Sequence, residues 1–389
     1  MSDQGGGGDK SAEPAANNTA QRKLFEALAK KDLATVKQIV RDEPNLNLNC
    51  IDQDELSPLQ HACHIGDVEL ARLLINNGAD VNYTQRKDRY TALMFAAISA
   101  KADIVRLLLE RGVDTTAENC VNRTAADMAA FVGQSKIVSI INCWIPYAKS
   151  IEPYTRKREL EDVPRLPSKQ LGHILHNYIV YPTFHPVKFM LFIKENLELV
   201  QFGPQVLYVL DDLCTKATKP PVNDETLSLK YHYLSYVLQY CITAFETKKT
   251  KASNEDGSFD KETCEKAIEM AIRRLIRQDD PDKAQRITQL IDRFIIDCIF
   301  KFPYTQSAIF KTATYALTKL DRDNLIAYGV LIQVLNGPRM FGIQPEACAV
   351  CREAKGGKKC SRCKSVFYCD QSCQKADWFQ HKKCCKSDG

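Results

Sequence analysis

The chain of 389 residues has no apolar run approaching the roughly 20 residues that a membrane-crossing helix needs, so no transmembrane helix is available. The first twenty residues, rich in Gly, Ala, Asn and Ser, have no apolar core and are not expected to act as a secretory signal. Ser2 stands where myristoylation needs glycine, and the closing Lys-Ser-Asp-Gly is neither a prenylation box nor a retention signal. The expectation is a cytosolic protein. A chain-wide excess of charge is also missing. The net +5 comes from the last 38 residues, which hold ten Lys/Arg against four Asp/Glu, while the other 351 sum to −1. Such a distribution gives no chain-wide nucleic-acid footprint, and no direct nucleic-acid binding is expected. At 44% hydrophobic and 26% charged, the composition excludes a mostly disordered chain.

Cysteine is present in quantity but unevenly. Eight of the sixteen lie between Cys348 and Cys385; the others are scattered through apolar, helix-like sequence. A reducing compartment disfavours a disulfide framework, and the scattered set (50, 63, 120, 143, 214, 241, 264, 298) reads as small buried hydrophobes.

After a leader over 1–20 that is expected to be disordered, an internal repeat begins. Ser57-Pro58-Leu59-Gln60-His61-Ala62-Cys63 aligns with Thr91-Ala92-Leu93-Met94-Phe95-Ala96-Ala97, and both align with Thr124-Ala125-Ala126-Asp127-Met128-Ala129-Ala130. A second anchor keeps step, since Gly78-Ala79-Asp80 recurs as Gly112-Val113-Asp114. Two anchors in one register resemble the ankyrin repeat, with its period of about 33 residues. Thr or Ser at the helix start caps free N–H groups. Ala62, Ala96 and Ala129 allow close helix approach, and Gly78 and Gly112 suit a left-handed helix end. Three or four repeats are expected over 21–146, the first and last atypical because each presents one face outward.

Pro153, Pro164 and Pro167 among charges mark 147–167 as a linker with helical pieces. From 168 to 340 the period is helical: Leu171 to Tyr181, Val187 to Leu199, Val206 to Leu213, Leu227 to Phe245, Lys261 to Arg277, Asp282 to Phe300 and Leu325 to Leu335. No Val/Ile/Thr alternation supplies a sheet. The fold class is therefore mainly α: an ankyrin-repeat solenoid, an all-helical central region, and a small cysteine-rich terminal unit.

The strongest chemical signal is at 346–385. Its ligands pair as Cys348-x2-Cys351, Cys360-x2-Cys363, Cys369-x3-Cys373 and His381-x3-Cys385. Two ligands two or three residues apart can face one zinc ion across a tight turn, and eight ligands suffice for two zinc ions. Cys384 competes with Cys385 for the last position, and the H-x3-C spacing favours Cys385. Seven thiolates and two zinc ions leave the unit near +3, so much of its Lys/Arg content offsets thiolate charge. About 40 residues cannot bury enough apolar area to fold alone, a deficit that zinc binding of about 10–16 kcal/mol can offset.

This ligand order, with Gln374 after the sixth cysteine and Trp378 before the histidine, resembles the MYND zinc finger. The resemblance implies interleaved ligation: Cys348, Cys351, Cys369 and Cys373 hold one ion, and Cys360, Cys363, His381 and Cys385 hold the other. It further implies that Asp370 to Gln380 form a short helix, and that Pro-rich peptides are gripped by Ser361, Gln374 and Trp378. An indole face suits a stiff proline segment; plain packing over the zinc core is the other reading of Trp378.

Ankyrin repeats, a helical middle and a terminal MYND finger together resemble a family of non-catalytic adaptors. That resemblance implies a role in trafficking signalling membrane proteins, with those proteins or their chaperones as partners, to the primary cilium. A co-regulator of transcription or chromatin that recruits Pro-rich partners is the alternative. The repeats offer a second protein-binding surface, with Gln53, Asp54, Gln85, Arg86, Lys87, Arg89 and Tyr90 as candidate contacts and simple solvation as the competing account.

An enzyme is not expected. There is no Gly-rich phosphate loop, no G-x-S-x-G and no H-E-x-x-H. The Asn-His-Ser-Cys motif of methyltransferases that carry such fingers is also missing. Asn254 to Asp260 imitates a calcium loop but lacks the bidentate Glu, with Thr263 in its place. His173 and His176, one turn apart, read as partly buried polar residues, and Asp211-Asp212 has no evident partner.

Overall fold

In the computed structural model the described residues are 13–84, 87–155, 166–249, 259–277, 288–318, 327–336, 348–351 and 358–385. The chain divides into two compact units, Met1–Pro146 and Tyr147–Gly389.

The first unit is four antiparallel helix pairs: α1 (Glu13–Ala29) with α2 (Leu33–Asp42), α3 (Pro58–Ile65) with α4 (Val68–Asn76), α5 (Ala92–Ile98) with α6 (Ala102–Glu110), and α7 (Ala125–Phe131) with α8 (Ser135–Cys143). The leader expected over 1–20 ends early. Helix α1 already begins at Glu13, where Pro14 is compatible with a first turn and alanines follow; residues 1–12 lie outside the described residues.

The repeat chemistry is local and recurs. Ser57, Thr91 and Thr124 each accept the backbone N–H three residues on, capping α3, α5 and α7. Each paired turn passes through one left-handed residue: Lys31, Gly66, Ala100 and Gly133. Gly78 and Gly112, at φ +97° and +78°, follow α4 and α6 in a backbone conformation that residues with a side chain rarely adopt. The repeats are tied by side chains reaching one repeat along. Asn49 Oδ1 accepts the Asp80 N–H at 2.8 Å, and Asn82 Oδ1 accepts the Asp114 N–H at 2.8 Å. Ala62, Ala96 and Ala129 are completely buried where inner helices meet, and Leu70, Leu74, Ile104 and Leu108 fill the seam beside them.

The second unit opens with two single turns, α9 (Tyr147–Ser150) and α10 (Glu152–Thr155). The segment expected to be a linker is partly core: Ile151, Tyr154 and Leu166 are buried, and 156–165 lie outside the described residues. Tyr154 donates its hydroxyl to Asp212 at 2.6 Å, and Lys216 pairs with the same carboxylate at 2.7 Å. Asp211 accepts from the Ser235 hydroxyl at 2.9 Å. The Asp211-Asp212 pair is thus engaged in packing contacts. Burial opposes ionisation of Asp212, but Lys216 and Tyr154 outweigh it and hold that carboxyl below its ordinary value.

Helices α11 (Lys169–Ile179), α12 (Pro186–Glu195), α13 (Glu198–Gln201), α14 (Gly203–Ala217), α15 (Glu225–Lys249), α16 (Lys261–Ile276), α17 (Thr288–Phe300), α18 (Ala308–Leu317) and α19 (Ala327–Asn336) build the rest. The 25-residue α15 is central, packed by α12, α14, α16 and α19, which is why it carries apolar residues around its circumference. Tyr233 on α15 donates to the Phe184 carbonyl at 2.7 Å, and Tyr178 on α11 donates to the Leu234 carbonyl at 3.0 Å. Both rings are fully buried with their hydroxyls satisfied.

The described helices refine the periodicity. The helix expected over Val187 to Leu199 breaks at Asn196, whose side chain turns back to the Phe192 carbonyl at 2.8 Å. Helix α18 follows a Pro-containing stretch within the expected helical region. Of the imitation calcium loop, 254–258 lie outside the described residues, while Asp260 caps α16 through the Glu262 and Thr263 N–H groups. His176 is buried, and the exposed His173 stacks on Tyr147 at 4.4 Å. Of the scattered cysteines, 63, 143, 214, 241, 264 and 298 are buried, Cys50 is half-buried, and Cys120 is exposed. Cys120 corrects the uniform reading, because it lies in the loop before α7.

Candidate metal centre

The described residues of 348–385 have little sheet structure. Two two-residue strands, β1 (Lys358–Lys359) and β2 (Phe367–Tyr368), pair antiparallel, and α20 (Gln371–Cys384) follows. They are the only strands among the described residues. The hairpin is extended by the Cys360 N–H to the Val366 carbonyl at 2.8 Å. Lys364 is left-handed and donates its N–H to the Cys360 carbonyl at 2.9 Å, folding Cys360 and Cys363 into a knuckle. The Ala349 N–H reaches the Phe367 carbonyl at 2.9 Å and stitches the Cys348–Cys351 turn to the hairpin. Asp370 caps α20 through the Cys373 N–H at 2.8 Å, so the cap and the ligand share one turn. Helix α20 extends past the Gln380 boundary expected for it, which places His381 on the same helix as Cys373.

These local devices bring eight side chains into two groups. Cys348, Cys351, Cys369 and Cys373 form one; Cys360, Cys363, His381 and Cys385 form the other; within each group the ligand atoms lie within 4.8 Å of one another. Apart from the half-buried Cys369, all eight are buried. The side chain of Cys384 lies outside the described residues.

The donor set fits zinc. Cys351 and Cys369 sulfurs are 3.5 Å apart, Cys369 and Cys373 3.6 Å, and Cys360 and Cys385 3.8 Å; the Cys363 sulfur is 3.5 Å from His381 Nε2. Sulfurs about 2.3 Å from a tetrahedral ion would be roughly 3.8 Å apart. The observed separations approach that edge and are far from the roughly 2.05 Å of a disulfide. The two clusters are positioned for metal binding, in agreement with two zinc ions.

Neighbouring groups orient the ligands. The Ser365 hydroxyl donates to the Cys363 sulfur at 3.1 Å and is the main cause holding that thiol down to about 6. Buried Tyr368 donates to Asp377 at 2.6 Å, fixing α20 against the hairpin, and its ring meets His381 edge-on at 6.0 Å.

Within the second unit, the finger packs on the helical bundle. Gln380 Nε2 donates to the Ile276 carbonyl at the end of α16 at 3.2 Å, and the Arg273 guanidinium lies 5.6 Å from the centre of the Phe379 ring. Lys188 of α12 pairs with Asp370, its side chain only 8% exposed. Burial disfavours the Lys188 ammonium, but Asp370 and the thiols of Cys373, Cys369 and Cys351 outweigh this and raise its pKa.

The residues tied to peptide binding lie on the finger surface. Ser361 is exposed, Gln374 is half-buried and Trp378 is 40% exposed, its ring 5.9 Å from that of His381. On the ankyrin side, Gln53, Asp54 and Lys87 are exposed and Tyr90 is half-buried. Arg89 has a packing job, donating to the Asn119 carbonyl of the next loop at 3.0 Å, while the Tyr90 carbonyl accepts from Gln60 at 2.8 Å. Gln85 and Arg86 lie outside the described residues.

Sequence reasoning missed Lys188, Asp370 and Ser365 around the clusters. An aspartate immediately before a helical run was a readable cap signal for Asp370. Lys188, 182 residues from Asp370, had none.

Repeats of helix pairs followed by two interleaved Cys/His clusters define an ankyrin-repeat protein with a C-terminal MYND finger. Residues 24–119 match the ankyrin-repeat family in three copies, and residues 348–385 match the MYND finger family. The chain is similar to Dauer abnormal formation protein 25 of Caenorhabditis elegans, 29% identical over 93% of this chain and 89% of that protein. Other similarities are partial. Ankyrin repeat and SAM domain-containing protein 6 of Rattus norvegicus is 27% identical over 38% of this chain and 18% of its own length. The zinc finger MYND domain-containing protein 10 homolog of Drosophila melanogaster is 50% identical over 11% of this chain and 10% of its own. Both module types are interaction modules, and no described helix is long and apolar enough to cross a membrane.

Proposed function

We propose that the chain is a non-catalytic adaptor that joins partners through its repeats and its finger. Zinc, held by Cys348, Cys351, Cys369 and Cys373 and by Cys360, Cys363, His381 and Cys385, shapes the finger and takes part in no reaction. One observation carries the reading. On α20, Cys373, Asp377 and His381 are buried, yet Trp378 keeps 40% of its surface exposed, with Gln374 one turn before it. An indole left at the surface beside an amide matches what an extended Pro-rich segment requires: an apolar face plus a hydrogen-bonding group for its backbone.

Trafficking of signalling membrane proteins toward the primary cilium, with those proteins or their chaperones as partners, is the finer reading, drawn from the resemblance of the module order. Alignment with the nematode protein across nearly both chains favours a whole-chain kinship over a shared module.

The test is capture of partners from ciliated cells by proximity labelling with the intact chain and with Trp378→Ala. Loss of a subset of partners, with two zinc ions retained, is expected. An unchanged partner set would overturn the assignment of the grip to Trp378. Zinc-dependent turnover by the purified protein, or methyl transfer from a methyl donor, would overturn the non-catalytic reading.

A further inference from the structure

The two clusters differ in charge. Four thiolates around a divalent ion carry a net −2, whereas three thiolates with a neutral imidazole carry −1. The four-cysteine cluster also has the Asp370 carboxylate beside it, with Oδ2 3.4 Å from the Cys369 sulfur. Concentrated negative charge in a mostly buried site requires a compensating cation or hydrogen-bond donors. Lys188 meets that need. It projects from the bundle helix α12, is nearly excluded from water, and pairs with Asp370, whose carboxylate lies against the Cys369 sulfur. Asp370 in turn caps α20 at Cys373. One ammonium from outside the finger therefore pairs with Asp370, the residue that caps α20 at Cys373 and abuts the Cys369 sulfur of the same cluster.

We propose that the four-cysteine zinc centre is completed by the helical bundle, with Lys188 as its outer-shell cation, so that zinc in this cluster fastens the finger to α12 and the bundle in turn retains the zinc. This deepens the two-zinc reading of the finger and is independent of what the finger grips. Coupling of this kind is reciprocal: whatever factor zinc contributes to docking, docking contributes to zinc affinity. Lys188 is a positioning residue, since it acts through Asp370 and ligates no metal itself. The Arg273–Phe379 contact belongs to the same docking face without touching either ligand cluster, and it provides the control.

The experiment titrates zinc out of the full chain with a chromogenic chelator, using Cys373→Ser to identify which step belongs to the four-cysteine cluster. Lys188→Met is expected to weaken that step by about 10–100-fold, the usual cost of losing an outer-shell partner, and to leave the Cys3His step unchanged. Lys188→Arg, which keeps the charge, should recover most of the loss, and Arg273→Ala, which loosens docking without touching a ligand cluster, should cost the four-cysteine step far less than Lys188→Met and leave the Cys3His step unchanged. Equal affinities in Lys188→Met and the parent would overturn the proposal, as would an equal loss in Arg273→Ala. If Lys188→Met fails to fold, the parent chain still decides. Stripping its zinc should raise amide exchange across 186–195, and unchanged protection there would sink the idea. A parent chain holding fewer than two zinc ions would instead remove the metal reading itself.

Discussion

Residues 57–63, 91–97 and 124–130 fold by repeating one local instruction, while residues 348–385 hold almost no such instruction. In the repeats, each inner helix has its own Ser or Thr cap, its own buried alanine and its own left-handed turn. Stacking then multiplies a packing unit that already exists. Among its described residues the finger has four strand residues and a single helix, and apart from the ligands the described buried side chains are few: Val350, Tyr368 and Asp377. Its order comes from eight ligand atoms converging on two points. The lesson is that the same chain uses two sources of stability, one distributed over many small apolar contacts and one concentrated in two metal centres.

The largest effect that separates them is metal removal. A strong chelator should abolish amide protection over 358–385 and leave protection in α3 to α8 unchanged, because about 10–16 kcal/mol of zinc binding is lost from one region alone. Thiol labelling draws the same line. Before chelation Cys120 should label quickly in the repeats, while Cys63, Cys143, Cys241 and Cys298 stay silent. Burial pushes the thiols of Cys63, Cys241 and Cys298 well up, and that of Cys50 to about 11. After chelation only finger cysteines should join Cys120. Exposure of Cys63 or Cys143 on chelation would break the comparison.

What could be read in advance follows the range of each interaction. Cap, alanine and glycine positions of the repeats were legible because every partner is within four residues or one repeat. The zinc pairs were legible because each knuckle closes over two or three residues. The interleaving came from resemblance alone, since spacing cannot say which knuckle faces which. The docking of the finger was hidden, because Lys188 and Asp370 meet only once α12, α16 and α20 are assembled. The segment 147–167 misled for the opposite reason. Its prolines and charges are local and conspicuous, while the burial of Ile151, Tyr154 and Leu166 depends on the helices that follow.

Ligand substitutions sharpen the contrast at the next level. Cys373→Ser and Cys363→Ser should each leave one zinc ion per chain, counted by elemental analysis, because the two residues belong to different clusters. Loss of both ions from either variant would mean that the clusters fold as one. In the repeats the corresponding injury is overpacking. Ala96 is fully buried where α5 meets its neighbours, so Ala96→Leu should cost about 1–3 kcal/mol of repeat stability in denaturant unfolding. The zinc count should stay at two. A midpoint unchanged from the parent would show that the inner helices are not closely packed there.

The smallest effect tests the locality of the repeats most directly. Thr124 caps α7 by accepting the Asp127 N–H at 3.2 Å, and Asp127 returns the bond to the Thr124 N–H at 3.2 Å. Thr124→Ala removes the hydroxyl acceptor and should lower stability by ~1 kcal/mol, whereas Thr124→Ser keeps it and should lose much less. Since α7 and α8 form the last pair, fraying should be confined to them and to the seam with α5 and α6. Exchange rates in α3, in α4 and throughout the finger should match the parent. If the alanine variant instead unfolds all four pairs in one step at a much lower midpoint, the repeats are a single cooperative block. The contrast with the finger would then be one of chemistry alone.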